Sequence, residues 1–198
     1  MKKLGVLGGA FDPIHAGHLH LAKVCYQKLG LDKVLFIPSA VSPFKEGKTS
    51  SFSQRLTMTA IATAEIPYFE VSAVEALREG KSYTCETLKV LKEIYAGWEL
   101  YFLSGADALE SLSRWYNWQE ILANCYFVGV NRPGYELKID EALNSFPQAK
   151  EKIILLKAEE EIDISSRLLR SEIQSGLKNE YLPPKVWEYI KEQGLYRR

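Results

Sequence analysis

All three histidines of the chain fall within six consecutive positions, as His15, His18 and His20. They follow the pair Gly8-Gly9, which ends a short apolar run, and they precede a stretch with helical periodicity. A strand, turn and helix in this order place unpaired backbone N–H groups and the positive end of a helix dipole beside the imidazoles. Such a helix start favours a phosphate, so the spacing predicts a phosphate site at His15 and His18.

Glycines around these histidines allow a ligand to come close to the backbone. Gly8 and Gly9 permit this after the first strand, and Gly17 leaves room between the rings of His15 and His18. Because these two histidines are three residues apart, they share one face at the helix start, whereas His20 is expected to point off that face. An imidazole can donate a hydrogen bond to a phosphate oxygen in either charge state.

Three other interpretations remain open for the turn that carries His15 and His18, called the histidine turn below. Both histidines could be structural, or they could bind zinc with Asp12 or Cys25 as a third ligand. A dinucleotide site of the dehydrogenase type is weaker, because Gly5, Gly8 and Gly9 do not give the G-x-G-x-x-G spacing.

The composition is that of an ordinary globular domain, with 198 residues, of which 46% are hydrophobic and 25% are charged. Lys and Arg together number 25, as do Asp and Glu, so the formal net charge is zero. Proteins that bind duplex nucleic acid usually have a strong basic excess, which this chain lacks. The composition therefore favours a small-molecule substrate and no nucleic-acid partner.

Cysteine usage and hydropathy predict a cytoplasmic protein with no membrane partner. Cys25, Cys85 and Cys125 are few, odd in number and widely spaced, which predicts small buried side chains rather than a disulfide framework. No apolar run approaches the length that spans a bilayer. The short apolar segment after Lys2-Lys3 is interrupted by Asp12, so we do not interpret it as a signal peptide. A monomer and a homo-oligomer are both compatible with the sequence.

Strand and helix patterns alternate along the chain, which predicts βαβ units. Apolar runs predict strands at Leu4–Leu7, Val34–Ile37, Phe69–Ala73, Glu99–Leu103, Tyr126–Val130 and Ile153–Leu156. Helical periodicity predicts helices at 19–29, Gln54–Glu65, Glu86–Tyr95, Trp118–Asn124, Ser166–Gln174 and Lys185–Gln193. We therefore expect an α/β fold with a Rossmann-like, doubly wound, mostly parallel sheet and helices on both faces. Ligands of such folds bind beyond the carboxyl ends of the strands.

The organisation of the chain predicts one domain over residues 1–198, with a helical C-terminal portion from about residue 165 to residue 198. No internal repeat, linker or low-complexity tract is visible in the sequence. The serine-rich segment Ser39–Ser53 contains Pro43 and Gly47 and is the best candidate for a mobile lid.

Two segments at opposite ends of this domain resemble the motifs of one nucleotidyltransferase superfamily. Gly9-Ala10-Phe11-Asp12-Pro13-Ile14-His15-Ala16-Gly17-His18 resembles its H-x-G-H signature, and Ile164-Ser165-Ser166-Arg167-Leu168-Leu169-Arg170 resembles its I-S-S-T-x-x-R motif. Further segments resemble the bacterial nicotinate-nucleotide adenylyltransferases, namely 82–88, 105–107, Trp115, 131–135 and the tail from Leu182 to Tyr196. The resemblance spans essentially the whole chain.

This resemblance implies an enzyme that joins ATP to nicotinate mononucleotide and releases pyrophosphate during NAD biosynthesis. The mononucleotide phosphate would attack the α-phosphorus of ATP in line, so the protein would hold two anions together and neutralise developing charge. Mg²⁺ bound through the ATP phosphates is the implied cofactor, and no metal ion held by the protein itself is implied. The preference for the acid over the amide of the pyridine ring rests on the resemblance alone.

The resemblance also implies roles for individual residues. His18 and His15 would be catalytic, and Ser165 and Arg170 would hold the β and γ oxygens of ATP. The full set implied in ATP binding is Gly8, Gly9, Phe11, His15, His18, Gly105, Asp107, Ser165 and Arg170, with Asp107 accepting from ribose hydroxyls. The set implied in mononucleotide binding is Ala10, Lys45, Thr84, Trp115 and Arg132, with Thr84 and Trp115 framing the pyridine ring.

Several of these side chains have structural alternatives. Ser165 or Ser166 could simply cap the following helix, and Arg170 could form a surface ion pair. Lys45 could be a solvated side chain, and Trp115 could belong to the core.

The chain departs from the family pattern at three positions, which are Phe44 in place of a frequent His, Glu86 in place of Asp and Arg167 in place of Thr. Two other functions also remain open. One is a different small-molecule nucleotidyltransferase, such as a pantetheine-phosphate adenylyltransferase or a cytidylyltransferase. The other is a catalytically idle nucleotide-binding regulator, which would be expected to lose His18 or Arg170, although both are present.

Overall fold

Strands and helices alternate along the residues that the computed structural model describes, which are 1–41, 50–131, 146, 149–159, 162 and 164–197. The strands are β1 (Lys3–Gly9), β2 (Lys33–Pro38), β3 (Phe69–Val71), β4 (Glu99–Gly105), β5 (Tyr126–Asn131) and β6 (Ile153–Lys157). The α-helices are α1 (Ala16–Leu29), α2 (Phe52–Thr63), α3 (Thr84–Ile94), α4 (Asp107–Ser111), α5 (Trp118–Asn124), α6 (Ser166–Gln174) and α7 (Pro184–Glu192). Short 3-10 helices cover Val74–Leu77, Leu112–Arg114 and Lys150–Lys152.

The six strands form one parallel sheet in the order β3-β2-β1-β4-β5-β6. Strand β1 pairs with β2 on one side and with β4 on the other, so the strand order reverses at β1. In doubly wound sheets this reversal opens a crevice beyond the carboxyl ends of the two central strands. The fold class predicted from the sequence is confirmed.

Successive side chains of the central strands enter two separate cores, one on each face of the sheet. Leu4 and Val6 of β1 pack in the core that contains Leu88 of α3, whereas Leu7 packs in the core that contains Cys25 of α1. The second core also receives α2, α6 and α7, through Met58, Leu169, Ile173, Val186 and Ile190. Helices therefore cover both faces, as the alternating pattern predicts.

The predicted helices and strands are present, with small differences at their ends. The bounds of α5 and α6 match the predictions residue for residue, while α3 begins two residues earlier, at Thr84. Helix α4 is an addition, because its five residues are too few to show helical periodicity in the sequence.

The three cysteines are free and buried, as predicted. Burial raises the pKa of the Cys25 and Cys125 thiols to about 12, so both side chains remain neutral at physiological pH. Among the helices that the structure describes, none is long and apolar enough to cross a membrane.

Candidate active site

A cleft of about 730 Å³ opens at the carboxyl ends of the two central strands. Leu7 and Gly8 of β1 and the segment from Phe102 to Gly105 of β4 form its floor. The first turns of α1 and α6 also line it. Helix α1 and its N-cap contribute His15, Gly17 and His18, and α6 and its N-cap contribute Ser165, Ser166 and Arg170. The two segments that carry the sequence motifs therefore meet in one cavity, although they lie far apart in the chain.

The two histidines form a stacked pair at the start of α1. Their ring centroids lie 3.7 Å apart with an interplanar angle of 27°, and His15 is 95% buried, with 5% of its surface exposed. The backbone N–H of His15 donates to Nδ1 of His18 over 3.2 Å. Because Nδ1 accepts this hydrogen bond, the neutral His18 ring carries its hydrogen on Nε2, which is thereby a donor.

The buried side chains of Phe11 and Ile164 pack around this pair of histidines and hold it in place. The ring of Phe11 packs edge-on against His18, with centroids 5.0 Å apart. A Cβ atom at Gly17 would lie 3.1 Å from Nδ1 of His15 and 3.2 Å from Cγ2 of Ile164. The absence of a side chain at Gly17 therefore lets the histidine turn pack closely against the segment that leads into α6.

Helix α6 presents a hydroxyl and two guanidinium groups to the cleft. Ser165 is the N-cap residue, and its Oγ accepts from the N–H of Leu168 over 3.2 Å. The same hydroxyl keeps its own hydrogen for donation to a ligand, so the cap and a ligand contact are compatible. Arg167 and Arg170 both line the cleft, and Arg170 also donates to the backbone oxygen of Asp12 over 2.7 Å.

The β4 side of the cleft contains Gly105, Asp107 and Trp115. A Cβ atom at Gly105 would overlap Oδ1 of Asp107, so glycine at this position leaves the carboxylate its place. Trp115 lines the cleft and also packs edge-on against Phe102 at 5.9 Å, so it contributes to the core as well as to the cavity. Its Nε1 donates to Oγ of Ser111 over 3.2 Å.

Several predicted site residues lie elsewhere. The Phe11 side chain is buried in the core, with only 1% of its surface exposed, so a ligand could be contacted only by its backbone. Gly9 and Ala10 are beside the cleft rather than in its lining, and half-buried Thr84 begins α3 outside that lining. The prediction for His20 was wrong, because His20 lines the same cleft as His15 and His18.

Lys45, Arg132 and Phe44 lie outside the described residues, as does the stretch 42–49 of the predicted lid.

A buried polar network that the sequence analysis did not identify lies beneath the histidine turn. The side chain of Asp12 has no exposed surface, and its Oδ1 accepts from the hydroxyl of Tyr196 at 2.7 Å and from the N–H of Ser50 at 3.3 Å. Its Oδ2 lies 4.0 Å from the guanidinium of Arg170. One carboxylate therefore links β1, the start of α2, α6 and the segment after α7.

Arg55 of α2 is the second member of this network, with 5% of its surface exposed. Its guanidinium donates to the backbone oxygens of Ala10 at 2.8 Å, Ser39 at 2.7 Å and Ser50 at 3.2 Å. Burial lowers the pKa of Arg55, and the nearby Asp12 opposes that effect. A signal was present in the sequence, because Arg55 lies on the same helical face as buried Met58 and Thr59.

The zinc alternative finds no further support in the described part of the chain. The group of potential metal ligands found there is Cys85, Glu86 and Glu120, and none of these residues lines the cleft. Asp12 instead accepts hydrogen bonds from protein groups, as described above, and the buried thiol of Cys25 has a pKa raised to about 12.

A doubly wound sheet with a cationic cleft at its strand reversal defines the class of nucleotide-binding α/β proteins. The cytidylyltransferase-like family model matches residues 6–172 of the chain, which narrows the class to nucleotidyltransferases. A probable nicotinate-nucleotide adenylyltransferase of Dehalococcoides mccartyi is 43% identical over 99% of this chain and 98% of its own. The nicotinate-nucleotide adenylyltransferase of Bacillus subtilis is 38% identical over 99% of each chain. The chain belongs to the nicotinate-nucleotide adenylyltransferase family.

A solved structure shows the same fold. Nicotinic acid mononucleotide adenylyltransferase of Plasmodium falciparum, complexed with NaAD, superimposes with a TM-score of 0.82 over 99% of this chain and 98% of its own. The two sequences are 21% identical, so the likeness concerns the fold.

Proposed function

We propose that the chain transfers the adenylyl group of ATP to nicotinate mononucleotide, forming deamido-NAD and pyrophosphate in the biosynthesis of NAD. One observation carries this proposal, which is the convergence of His15 and His18 with Ser165 and Arg170 in one cleft at the strand reversal. The curated nicotinate-nucleotide adenylyltransferases that match nearly the full length of the chain support the choice of substrates.

The reaction is a direct displacement at phosphorus. A phosphate oxygen of the mononucleotide forms a bond to the α-phosphorus of ATP while the bond from that phosphorus to the bridging oxygen of pyrophosphate breaks. No protein nucleophile and no net proton transfer are needed. The protein must therefore align the two phosphates and stabilise negative charge on the α-phosphate and on the departing pyrophosphate.

The ATP phosphates would be held where α1 and α6 begin. Nε2 of His18 is a donor because Nδ1 is occupied by the His15 N–H, which suits an oxygen that gains charge during the reaction. Ser165 and Arg170 would bind the β and γ oxygens, with His15 beside His18. The N-terminal dipoles of the two helices add to the stabilisation, since both helices start at the cleft.

The nucleoside groups would lie on the β4 side and beyond it. Asp107 would accept from ribose hydroxyls, with Gly105, Gly8, Gly9 and the Phe11 backbone beside the ATP. Trp115 and Thr84 would frame the pyridine ring, and Ala10, Lys45 and Arg132 complete the proposed mononucleotide contacts.

The donor set of the cleft fits a Mg²⁺ ion that arrives with ATP. The described lining contains the side chains of three histidines, Arg167, Arg170 and Asp107, with Asp107 the one carboxylate among them. Mg²⁺ prefers an octahedral shell of oxygen ligands and is often bound through substrate phosphates with one or two carboxylates. When bound, the ion would neutralise phosphate charge.

The remaining expectations complete the proposal. Residues 1–198 form one nucleotidyltransferase domain with a helical C-terminal portion, acting in the cytoplasm on small molecules. The absence of a basic excess and the buried free cysteines support these assignments.

Pyrophosphate release tests the proposal directly. The chain is incubated with ATP and Mg²⁺, with either nicotinate mononucleotide or nicotinamide mononucleotide as the second substrate. Strong release with the acid and little with the amide is expected. Equal turnover would contradict the preference for the acid while preserving the chemistry, and no release with either would overturn the proposed reaction.

A further inference from the structure

Tyr196 follows α7 in the sequence, and its hydroxyl contacts Asp12 in the turn that carries His15 and His18. It donates to Oδ1 of Asp12 over 2.7 Å, although 184 residues separate the two in sequence. Tyr196 has a φ of 63°, and Phe11, which directly precedes Asp12, has a φ of 48°. Such left-handed values are rare for large side chains and persist only where the surrounding structure holds them.

The charge on Asp12 gives this contact its importance. A fully buried carboxylate close to a phosphate site would repel the ligand unless hydrogen-bond donors offset its negative charge. Oδ1 has two donors, Tyr196 and the Ser50 N–H, whereas Oδ2 has no hydrogen-bond partner among the described residues. The guanidinium of Arg170 lies 4.0 Å from Oδ2, beyond hydrogen-bonding distance, and donates to the backbone oxygen of Asp12 instead.

This geometry keeps Arg170 available to the cleft. The Arg170 side chain is 27% exposed and lines the cavity, so its other donors can reach a ligand. If the Tyr196 hydroxyl were removed, the carboxylate would lose its shorter hydrogen bond and could move to close the gap to Arg170. The guanidinium would then be drawn toward Asp12, and the turn that carries His15 and His18 would lose an anchor.

We propose that Tyr196 is a positioning residue for adenylyl transfer, acting through Asp12 on Arg170 and on the histidine turn. This inference rests on the proposed function. Tyr196 does not touch substrate in this account. Its hydroxyl sets the orientation of the Asp12 carboxylate, and the carboxylate sets how far the Arg170 guanidinium extends into the cleft.

The test compares Tyr196→Phe with Tyr189→Phe in the full chain. Tyr189 is a half-buried tyrosine of α7 that packs on the same core and does not line the cleft. We expect kcat/KM for ATP to fall about tenfold in Tyr196→Phe, with the KM for nicotinate mononucleotide changed less than about twofold. Tyr189→Phe should resemble the unmodified chain in both constants.

Amide hydrogen exchange provides a second measurement that does not depend on activity. Peptides covering residues 10–17 should exchange about tenfold faster in Tyr196→Phe than in Tyr189→Phe, because the turn has lost an anchor. Unchanged exchange, an unchanged kcat/KM for ATP, or a rise in the KM for nicotinate mononucleotide as large as the loss in kcat/KM for ATP would each overturn the inference. An inactive unmodified chain would instead overturn the proposed function, and the two failures are therefore distinguishable.

Discussion

The two sides of the cleft are held in different ways. The β1 side, defined as the turn from Ala10 to His18, is cross-linked by partly buried hydrogen bonds from Arg55, Ser166, Arg170 and Tyr196. The β4 side, which consists of Gly105, Asp107 and Trp115, is held mainly by aromatic packing of Trp115 against Phe102 and Phe127, and Nε1 of Trp115 donates to Ser111.

This difference agrees with the role proposed for each side of the cleft. An in-line displacement gains its rate from donors held at fixed positions around the reacting phosphorus, so a small displacement is costly. A stacked ring and a ribose contact tolerate more movement, because dispersion forces and solvent-accessible hydrogen bonds vary less steeply with position. We therefore propose that the chemistry takes place on the β1 side and that substrate recognition lies mainly on the β4 side.

Removal of the His18 ring should produce the largest effect. We expect His18→Ala to lower kcat by about 100-fold or more with little change in the KM for ATP, since the contact strengthens in the transition state. Steady-state kinetics provide the measurement. His20→Ala is the matched control, because His20 also lines the cleft but has no proposed role, and its kcat should stay within about threefold. A near-normal kcat in His18→Ala would contradict the proposal that the β1 side stabilises the transition state.

Removal of the Trp115 ring should mainly affect binding. We expect Trp115→Ala to raise the KM for nicotinate mononucleotide about tenfold while kcat changes less, because a stacking contact is lost. Trp118→Ala serves as the control, since Trp118 packs against Phe146 and does not line the cleft. Both variants should unfold at lower temperature. If the KM were unchanged in Trp115→Ala, Trp115 would be a core residue only.

The smallest expected effect concerns alkaline stability of the β1 side. Burial, and then the charge of Asp12, raise the pKa of Tyr196 above its usual value of 10.0. The unfolded chain therefore loses this proton first, and stability falls as the pH rises above about 10. Between about pH 8 and about pH 10.5, the unfolding free energy of Tyr196→Phe should fall by about 1 kcal/mol less than that of the unmodified chain.

Urea denaturation at the two pH values provides this measurement. Tyr189→Phe should show the same alkaline loss as the unmodified chain, so the comparison isolates the Tyr196 hydroxyl. Equal losses in all three proteins would show that Tyr196 does not contribute to the pH dependence.

Local patterns were sufficient to predict most of the fold. The apolar run at Leu4–Leu7 and the periodicity of Ser166–Gln174 are properties of consecutive residues, and both elements are present. Helix α4 was missed because five residues make little more than one turn, and its start depends on the geometry at the end of β4.

The site was predictable only in part. Residue types and spacing indicate phosphate binding at His15 and His18, and the resemblance to the nucleotidyltransferase motifs adds Ser165 and Arg170. The structure brings these four residues together in one cleft. The roles of Arg55 and Tyr196 depend on which backbone oxygens and carboxylates the fold places beside them, so no local pattern could show their partners. Helical spacing alone also does not show that His20 lines the cleft, because this depends on the elements that the fold places around α1.

The central claim is that motifs from opposite ends of the domain act on the same ATP phosphates. A double-mutant cycle on kcat with His18→Ala and Arg170→Met tests it most directly. If both side chains stabilise one developing charge, the combined loss should be smaller than the product of the single losses by about tenfold or more. A combined loss equal to that product would show that the two residues act independently and would contradict the account.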